Sequence, residues 1–207
     1  MFLRTKTCTI IALLSLFFVK NIVAQDNCKE WKIKESKGTL KVYVRECPDS
    51  PIKEFKVNDK FYGDFNKLLA EMENPEVVKK MSEYCTEARD LQHLSDHESV
   101  QYYYFDMPVG ITDRDVISKI TKYKTATTFK SITETYPSTL VPTKKGVVRL
   151  DKVRTSFFFE KQADGSIIME YIGRTDPNGW IPAWLINYLA QKEATKIVSK
   201  LQKLINN

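Results

Sequence analysis

Arg149 and Glu170 have the surroundings that bear most directly on chemistry. Arg149 follows Val147-Val148 and precedes Leu150, and Glu170 lies inside Ile167-Ile168-Met169-Glu170-Tyr171-Ile172. A charge within an apolar strand must be paired or must face water. Pointing inward, the two could pair with each other or with the polar head of a ligand. Pointing outward, they are cross-strand surface residues, and the sequence leaves both readings open. Tyr102-Tyr103-Tyr104 sends rings to alternate faces of a strand. One face is ordinary core; the other could offer a hydroxyl to a bound molecule. Asp113-Arg114-Asp115 could supply paired carboxylates for acid–base work, but an Arg between two acids reads better as a local ion pair that pins the start of a strand.

Other chemistries lack their residues. His93 and His97 have the spacing of a metal pair on a helix but straddle a turn, and a zinc site needs three or four converging ligands. No GxSxG, HExxH, phosphate-cradling or dinucleotide-binding motif occurs, and the chain has only 7 glycines from which to build such loops. The expectation is no metal, no cofactor and no catalytic residue.

The elements that position these residues follow from periodicity. Strands are expected at 31–36 and 40–47 around Lys37-Gly38-Thr39, and at 52–57. Leu40, Val42 and Val44 alternate with Lys41, Tyr43 and Arg45, so one face is buried. Residues 62–73 place Phe65, Leu68, Leu69 and Met72 at helical spacing, and Asn74-Pro75-Glu76 caps a second short helix carrying Val77, Val78 and Met81. Strands follow at 83–94, 99–107, 116–124, 127–136, 147–160 and 166–174, with Ala163-Asp164-Gly165 as a hairpin turn and 137–146 as an exposed loop. Asp176-Pro177-Asn178-Gly179 is turn chemistry, Pro182 suits a helix's first turn, and nothing breaks a helix from there to Ile205. The fold expected is α+β: a curved antiparallel sheet wrapped around a long C-terminal helix.

With 207 residues, 43% of them hydrophobic, the chain suits one domain with a real core. Residues 1–24 read as a secretory signal peptide: Arg4 and Lys6, an apolar run from Ile10 to Val19, then Ile22-Val23-Ala24 before Gln25. The mature domain is then 25–207, exported to a periplasmic or extracellular space. Losing Arg4, Lys6 and Lys20, and no acids, lowers the formal net charge from +6 to +3. That excess is too weak for a nucleic-acid binder. Among Cys28, Cys47 and Cys85 one disulfide can form; Cys28–Cys47 would close the N-terminal segment onto the first hairpin, but the pairing is open.

Taken together, Trp31, Val42-Tyr43-Val44-Arg45, Tyr103 through Met107-Pro108, Thr112-Asp113-Arg114-Asp115-Val116, Gly146-Val147-Val148-Arg149 and Asp176-Pro177-x-Gly179-Trp180-Ile181-Pro182-x-Trp184-Leu185-Ile186-Asn187 resemble the START (StAR-related lipid-transfer) domain, over residues 31–205. The resemblance implies a helix-grip fold around a tunnel for one lipid or other hydrophobic molecule, in a carrier rather than a catalyst. It implies cavity residues at Tyr103, Phe105, Arg149, Met169, Glu170, Ala183, Asn187 and Ala190, and a monomer. Sterol-carrying relatives tend to place a buried acid and base where Gln101 and Ile120 stand here, which argues against a sterol. An export signal departs from the cytosolic animal members and suits a bacterial secreted form.

Two other functions are consistent with the residues. A cyclase- or aromatase-like enzyme would use Tyr103, Arg149 or Glu170 as acid–base groups. A secreted interaction module would fill the cavity with its own side chains. On the last helix, Ala183, Ile186, Ala190, Ala194, Ile197, Leu201 and Leu204 form a line expected to face the sheet. Ile181, Trp184, Leu185 and Tyr188 form a second patch near its start, with Lys192, Lys196, Lys200 and Lys203 farther along that side. The patch packs under a loop or the short helices, or it is a gate that touches a membrane.

Overall fold

The computed structural model describes residues 27–206, so the expected export signal lies outside the described residues. Strands β1 (Lys32–Lys37), β2 (Leu40–Cys47) and β3 (Ser50–Tyr62) lead into helices α1 (Phe65–Glu73) and α2 (Val77–Met81). Then come β4 (Cys85–His93), β5 (Glu98–Phe105), β6 (Asp113–Lys124), β7 (Thr128–Thr135), β8 (Val147–Arg149), β9 (Val153–Lys161), β10 (Ser166–Thr175) and helix α3 (Ala183–Asn206). They form one ten-stranded sheet in the order β1-β2-β3-β10-β9-β7-β6-β5-β4, with β8 parallel to β6 and off this path. The chain crosses once from β3 to β4 through α1 and α2 and closes back when β10 pairs with β3. The sheet curves around α3 as expected.

The first short helix starts where Asp64 accepts hydrogen bonds from the backbone of Asn66 and Lys67, which satisfies two orphan amides. Its buried side, Phe65, Leu68 and Met72, closes one end of the core. The far half of α3 fills the centre. Ala194, Val198, Leu201 and Ile205 are buried against Val57, Phe129, Phe159, Ile167 and Met169. Ile205 packs where Gly63 has no side chain: a Cβ there would lie 2.6 Å from Ile205 Cδ1.

Three expectations need correction. The stripe expected to face the sheet is rotated in its second half, where Val198 and Ile205 are buried and Ile197 and Leu204 only partly so. There the helix is held between the sheet and α1 and α2, so its apolar arc is wider than a single line. The third strand runs from Ser50 to Tyr62, well past Val57, because Asn58, Asp59 and Lys60 pair with β10 despite their low strand propensity. Finally, 147–160 is two strands. β8 pairs with β6, and after Leu150-Asp151-Lys152 the chain crosses over to pair as β9 with β7 and β10.

A disulfide joins Cys28 to Cys47 and leaves Cys85 as a buried thiol whose pKa burial pushes up to about 12. The bridge ties the first described residues to the β2–β3 turn. Replacing both Cys28 and Cys47 with Ser should cost about 3 kcal/mol in urea unfolding of the oxidised protein, the chain-entropy value for a loop of this size. A loss under ~1 kcal/mol would show that this end is held by packing alone.

A cavity beneath the first half of the last helix

The near half of α3 meets the sheet at the start of β3, through Asn187, and stands off the strands beyond it. Between them lies a partly open cavity of about 340 Å³. Period-two alternation sets its sheet wall: Tyr103 and Phe105 on β5, Arg114, Val116 and Ser118 on β6, and Thr133 on β7. Val153, Thr155 and Phe157 on β9 and Tyr171 and Gly173 on β10 continue it. Ile186, Leu189, Ala190 and Glu193 form the roof, and Val78 and Met81 of α2 close the side. The alanine at 190 leaves room that a larger residue would fill. Tyr171 stacks on Phe157 with ring centroids 4.5 Å apart, giving the wall a stiff aromatic stretch.

The mouth is held by polar contacts. Arg114 is buried in the wall, and its guanidinium donates from Nε to the carbonyl of Pro177 at 3.3 Å, from Nη2 to that of Asn178 at 3.4 Å, and from Nη1 to that of Thr112. Burial pulls its pKa below the ordinary value, with nearby Asp113 opposing. The turn it grips contains two consecutive positive φ angles, 49° at Asn178 and 69° at Gly179, a conformation that suits Asn and Gly. Asn178 Nδ2 also donates to the carbonyl of Arg149 at 3.1 Å and to Asp151 at 2.8 Å. On the other side of the mouth, Asn187 accepts from the backbone N–H of Lys53 at 2.8 Å and donates to the carbonyl of Pro51 at 3.3 Å. The local ion pair expected within Asp113-Arg114-Asp115 is not formed. The three side chains reach separate partners: Asp113 accepts from Tyr104 Oη at 2.6 Å, Arg114 turns to carbonyls, and Asp115 binds Arg149.

A sequence model of the START domain matches residues 18–207. The chain belongs to the START domain family. That family binds lipids and other hydrophobic ligands. This START domain is 26% identical to an uncharacterized protein of Pseudomonas aeruginosa over 181 residues, 86% of each chain. It is 25% identical over 128 residues to START domain-containing protein 10 of mouse and human; the match covers 62% of this chain and 44% of theirs, so it spans less than half of those relatives. Among solved structures, human STARD10 superposes with a TM-score of 0.76 at 21% identity, covering 84% of this chain and 72% of its own. The STAR-related lipid transfer protein of Xanthomonas axonopodis gives 0.74 at 20% identity, covering 84% and 98%. At those identities the structures show the fold.

Of the cavity residues that the sequence suggests, Tyr103, Phe105 and Ala190 line the cavity of this START domain. Met169 is buried in the core below the far half of α3, Asn187 secures the mouth, and Ala183 lies outside the lining. Glu170 alternates with buried Met169 and so faces the outer side of the sheet. Arg149 does not meet it. Arg149 binds the fully buried Asp115 through Nε at 2.6 Å and Nη2 at 3.0 Å, and donates to the carbonyl of Val141 at 3.2 Å. That bond to Asp115 raises the guanidinium's pKa. Of the four gate candidates, Trp184 and Tyr188 are 71% and 59% exposed, Leu185 is half-buried, and Ile181 turns inward to line the cavity. Sequence reasoning passed over Trp180, 92% exposed, and Val109, fully exposed on the loop between β5 and β6. A tryptophan in a Gly-Trp-Ile-Pro turn, with no strand or helix to pack it, was the available signal. It read Arg114 as part of a local ion pair and passed over Ser118 and Thr155, all three of which the alternation along β6 and β9 places on the inner face.

Breaking one side of the buried Asp115–Arg149 pair should be severe. Asp115→Ala is expected to lose about 3–5 kcal/mol in chemical denaturation, since it strands a cation and the Tyr102 hydroxyl. Adding Arg149→Met should recover a large part. A loss below ~1 kcal/mol in the single variant would contradict the role given to this pair.

Proposed function

We propose that the protein is a non-enzymatic carrier that takes a lipid or another apolar molecule into the cavity beneath α3, acting as a monomer in an exported compartment. The single observation that carries this reading is the cavity itself. An apolar space of about 340 Å³ lies within the size range of ligand sites and is lined by aliphatic and aromatic side chains with few polar groups. An interaction module with a filled core would not keep it. The enzyme reading loses support because Arg149 is committed to Asp115 and Glu170 faces outward, leaving Tyr103 alone of its three groups on the cavity. Tyr103 donates to Gln101, and burial holds its pKa above the ordinary value, so it is a poor base. Gln101 is further bound to Asp90, and Ile120 is packed in apolar surroundings, which supports a cargo other than sterol. The Cys28–Cys47 disulfide favours an oxidising compartment.

The gate is the turn before α3 together with the helix's first turns. Trp180, Trp184 and Tyr188 stand exposed around it, a chemistry suited to the interface of a membrane. Lys192 and Lys203 are exposed along the same helix and suit anionic head groups, whereas Lys196 and Lys200 are engaged by Glu83. No helix among the described residues is long and apolar enough to cross a membrane, so contact would be from the surface. Co-sedimentation with anionic vesicles tests the gate: Trp184→Ala should weaken binding roughly tenfold with the thermal unfolding curve unchanged. Equal binding by the variant would contradict it. Extraction of a fluorescent single-chain or two-chain lipid from donor vesicles tests the carrier, and failure to extract either would count against it.

A further inference from the structure

Four of the hydroxyl-bearing side chains that line the cavity lie together. Thr133 on β7 and Thr155 on β9 are directly paired, and Thr155 is in turn paired with Gly173 on β10. Ser118 on β6 pairs with Thr135, which puts it one step diagonally from Thr133 on the same face. The missing side chain at Gly173 admits the phenol of Tyr171: a Cβ there would lie 2.8 Å from the Tyr171 hydroxyl and 3.3 Å from a methyl of Thr155. Hydroxyls from four adjacent strands therefore form one belt across the middle of the wall.

These hydroxyls lack partners. Ser118 Oγ is fully buried with no hydrogen bond, and the side chains of Thr133, Thr155 and Tyr171 enter none among the described residues. Leaving such groups unmade in an apolar space is costly, and a ligand that hydrogen-bonds there removes the cost. Three cationic residues line the cavity, and each is engaged elsewhere: Lys53 with Glu46, Arg174 with Asp49, and Arg114 with backbone carbonyls. Arg114 lies four residues back on β6, roughly 13 Å along the strand, and is turned to carbonyls. Glu193 on the roof is close enough to Tyr171 to help raise its pKa, which burial chiefly pushes up to about 12. A carboxylate or phosphate at the belt would thus meet a carboxylate and only cations already engaged by other groups, whereas a neutral group that both donates and accepts would be satisfied.

Size adds a second restriction. The cavity of about 340 Å³ stands near the lower end of the roughly 300–1,000 Å³ range of small-molecule sites. That size suits a single chain better than a two-chain phospholipid. We propose that the cavity takes a single-chain, uncharged long-chain alcohol whose hydroxyl docks on the belt of Ser118, Thr133, Thr155 and Tyr171. The proposal rests on the carrier reading and names its cargo.

Delipidated protein titrated with 1-dodecanol, dodecane, dodecanoate and phosphatidylcholine vesicles tests it, with displacement of a fluorescent apolar probe as the readout. Dodecanol should bind roughly tenfold tighter than dodecane or dodecanoate, and phosphatidylcholine should not displace the probe. The double variant Thr155→Val/Tyr171→Phe should bring dodecanol down to the level of dodecane and leave dodecane unchanged. Dodecanol no tighter than dodecane in the unaltered protein, dodecanoate tighter than dodecanol, full displacement by phosphatidylcholine, or a variant that keeps its preference would each overturn the proposal while leaving the carrier reading intact. Failure of all four to bind would overturn both.

Discussion

Asp115 is a fully buried carboxylate, and such a group is tolerable only when every oxygen is occupied. Its two oxygens receive Arg149 in a two-pronged bond, and Oδ2 also receives the Tyr102 hydroxyl at 3.0 Å. Its backbone carbonyl accepts from Leu150. Three strands and a loop meet there. Tyr102 brings β5, Asp115 brings β6, and Arg149 brings β8 and, through the carbonyls of Val141 and Pro142, the 137–146 loop. The chain must then break after Arg149 to continue as β9, and the carbonyl of Arg149 is left to accept from Asn178 in the turn before α3. The mouth of the cavity is therefore referenced to a buried ion pair on the outer face of the sheet.

The last helix is held by two different means along its length. Its far half is fixed by apolar burial, a non-directional and large contribution. Its near half rests on a handful of hydrogen bonds: Asn187 with the start of β3, and Arg114 and Asn178 around the preceding turn. Each such bond contributes only about 1 kcal/mol net. A helix built this way can lift at one end without unfolding at the other, since local opening is governed by the weaker set of contacts. The cavity lies under the weaker end, which is where the proposed carrier would open.

Much of this architecture is legible in the residues. Alternation marks most strands, and Asp176-Pro177-Asn178-Gly179 followed by Pro182 marks the start of the last helix. Interactions between partners far apart in sequence are not legible. Nothing local to Arg149 says that its partner is Asp115, 34 residues away, because that depends on the parallel register of β8 on β6. Glu170 was the nearer candidate by composition and lies on the wrong face by one residue of strand phase. Ile181 belongs by helical angle with Trp184 and Tyr188, but it sits before the helix begins, where a 100° step does not apply, and so it points inward. The hydroxyls of the cavity wall were equally hidden, since Ser118 and Thr155 resemble the polar half of any half-exposed strand.

The central claim is that the space under the near half of α3 exists to hold one apolar molecule. Native mass spectrometry of the protein, purified gently with no added lipid, tests it most directly. One molecule of low mass per chain, released by mild activation and extractable into organic solvent, is the predicted result. A spectrum of bare chain alone, unchanged after incubation with single-chain apolar molecules, would contradict it.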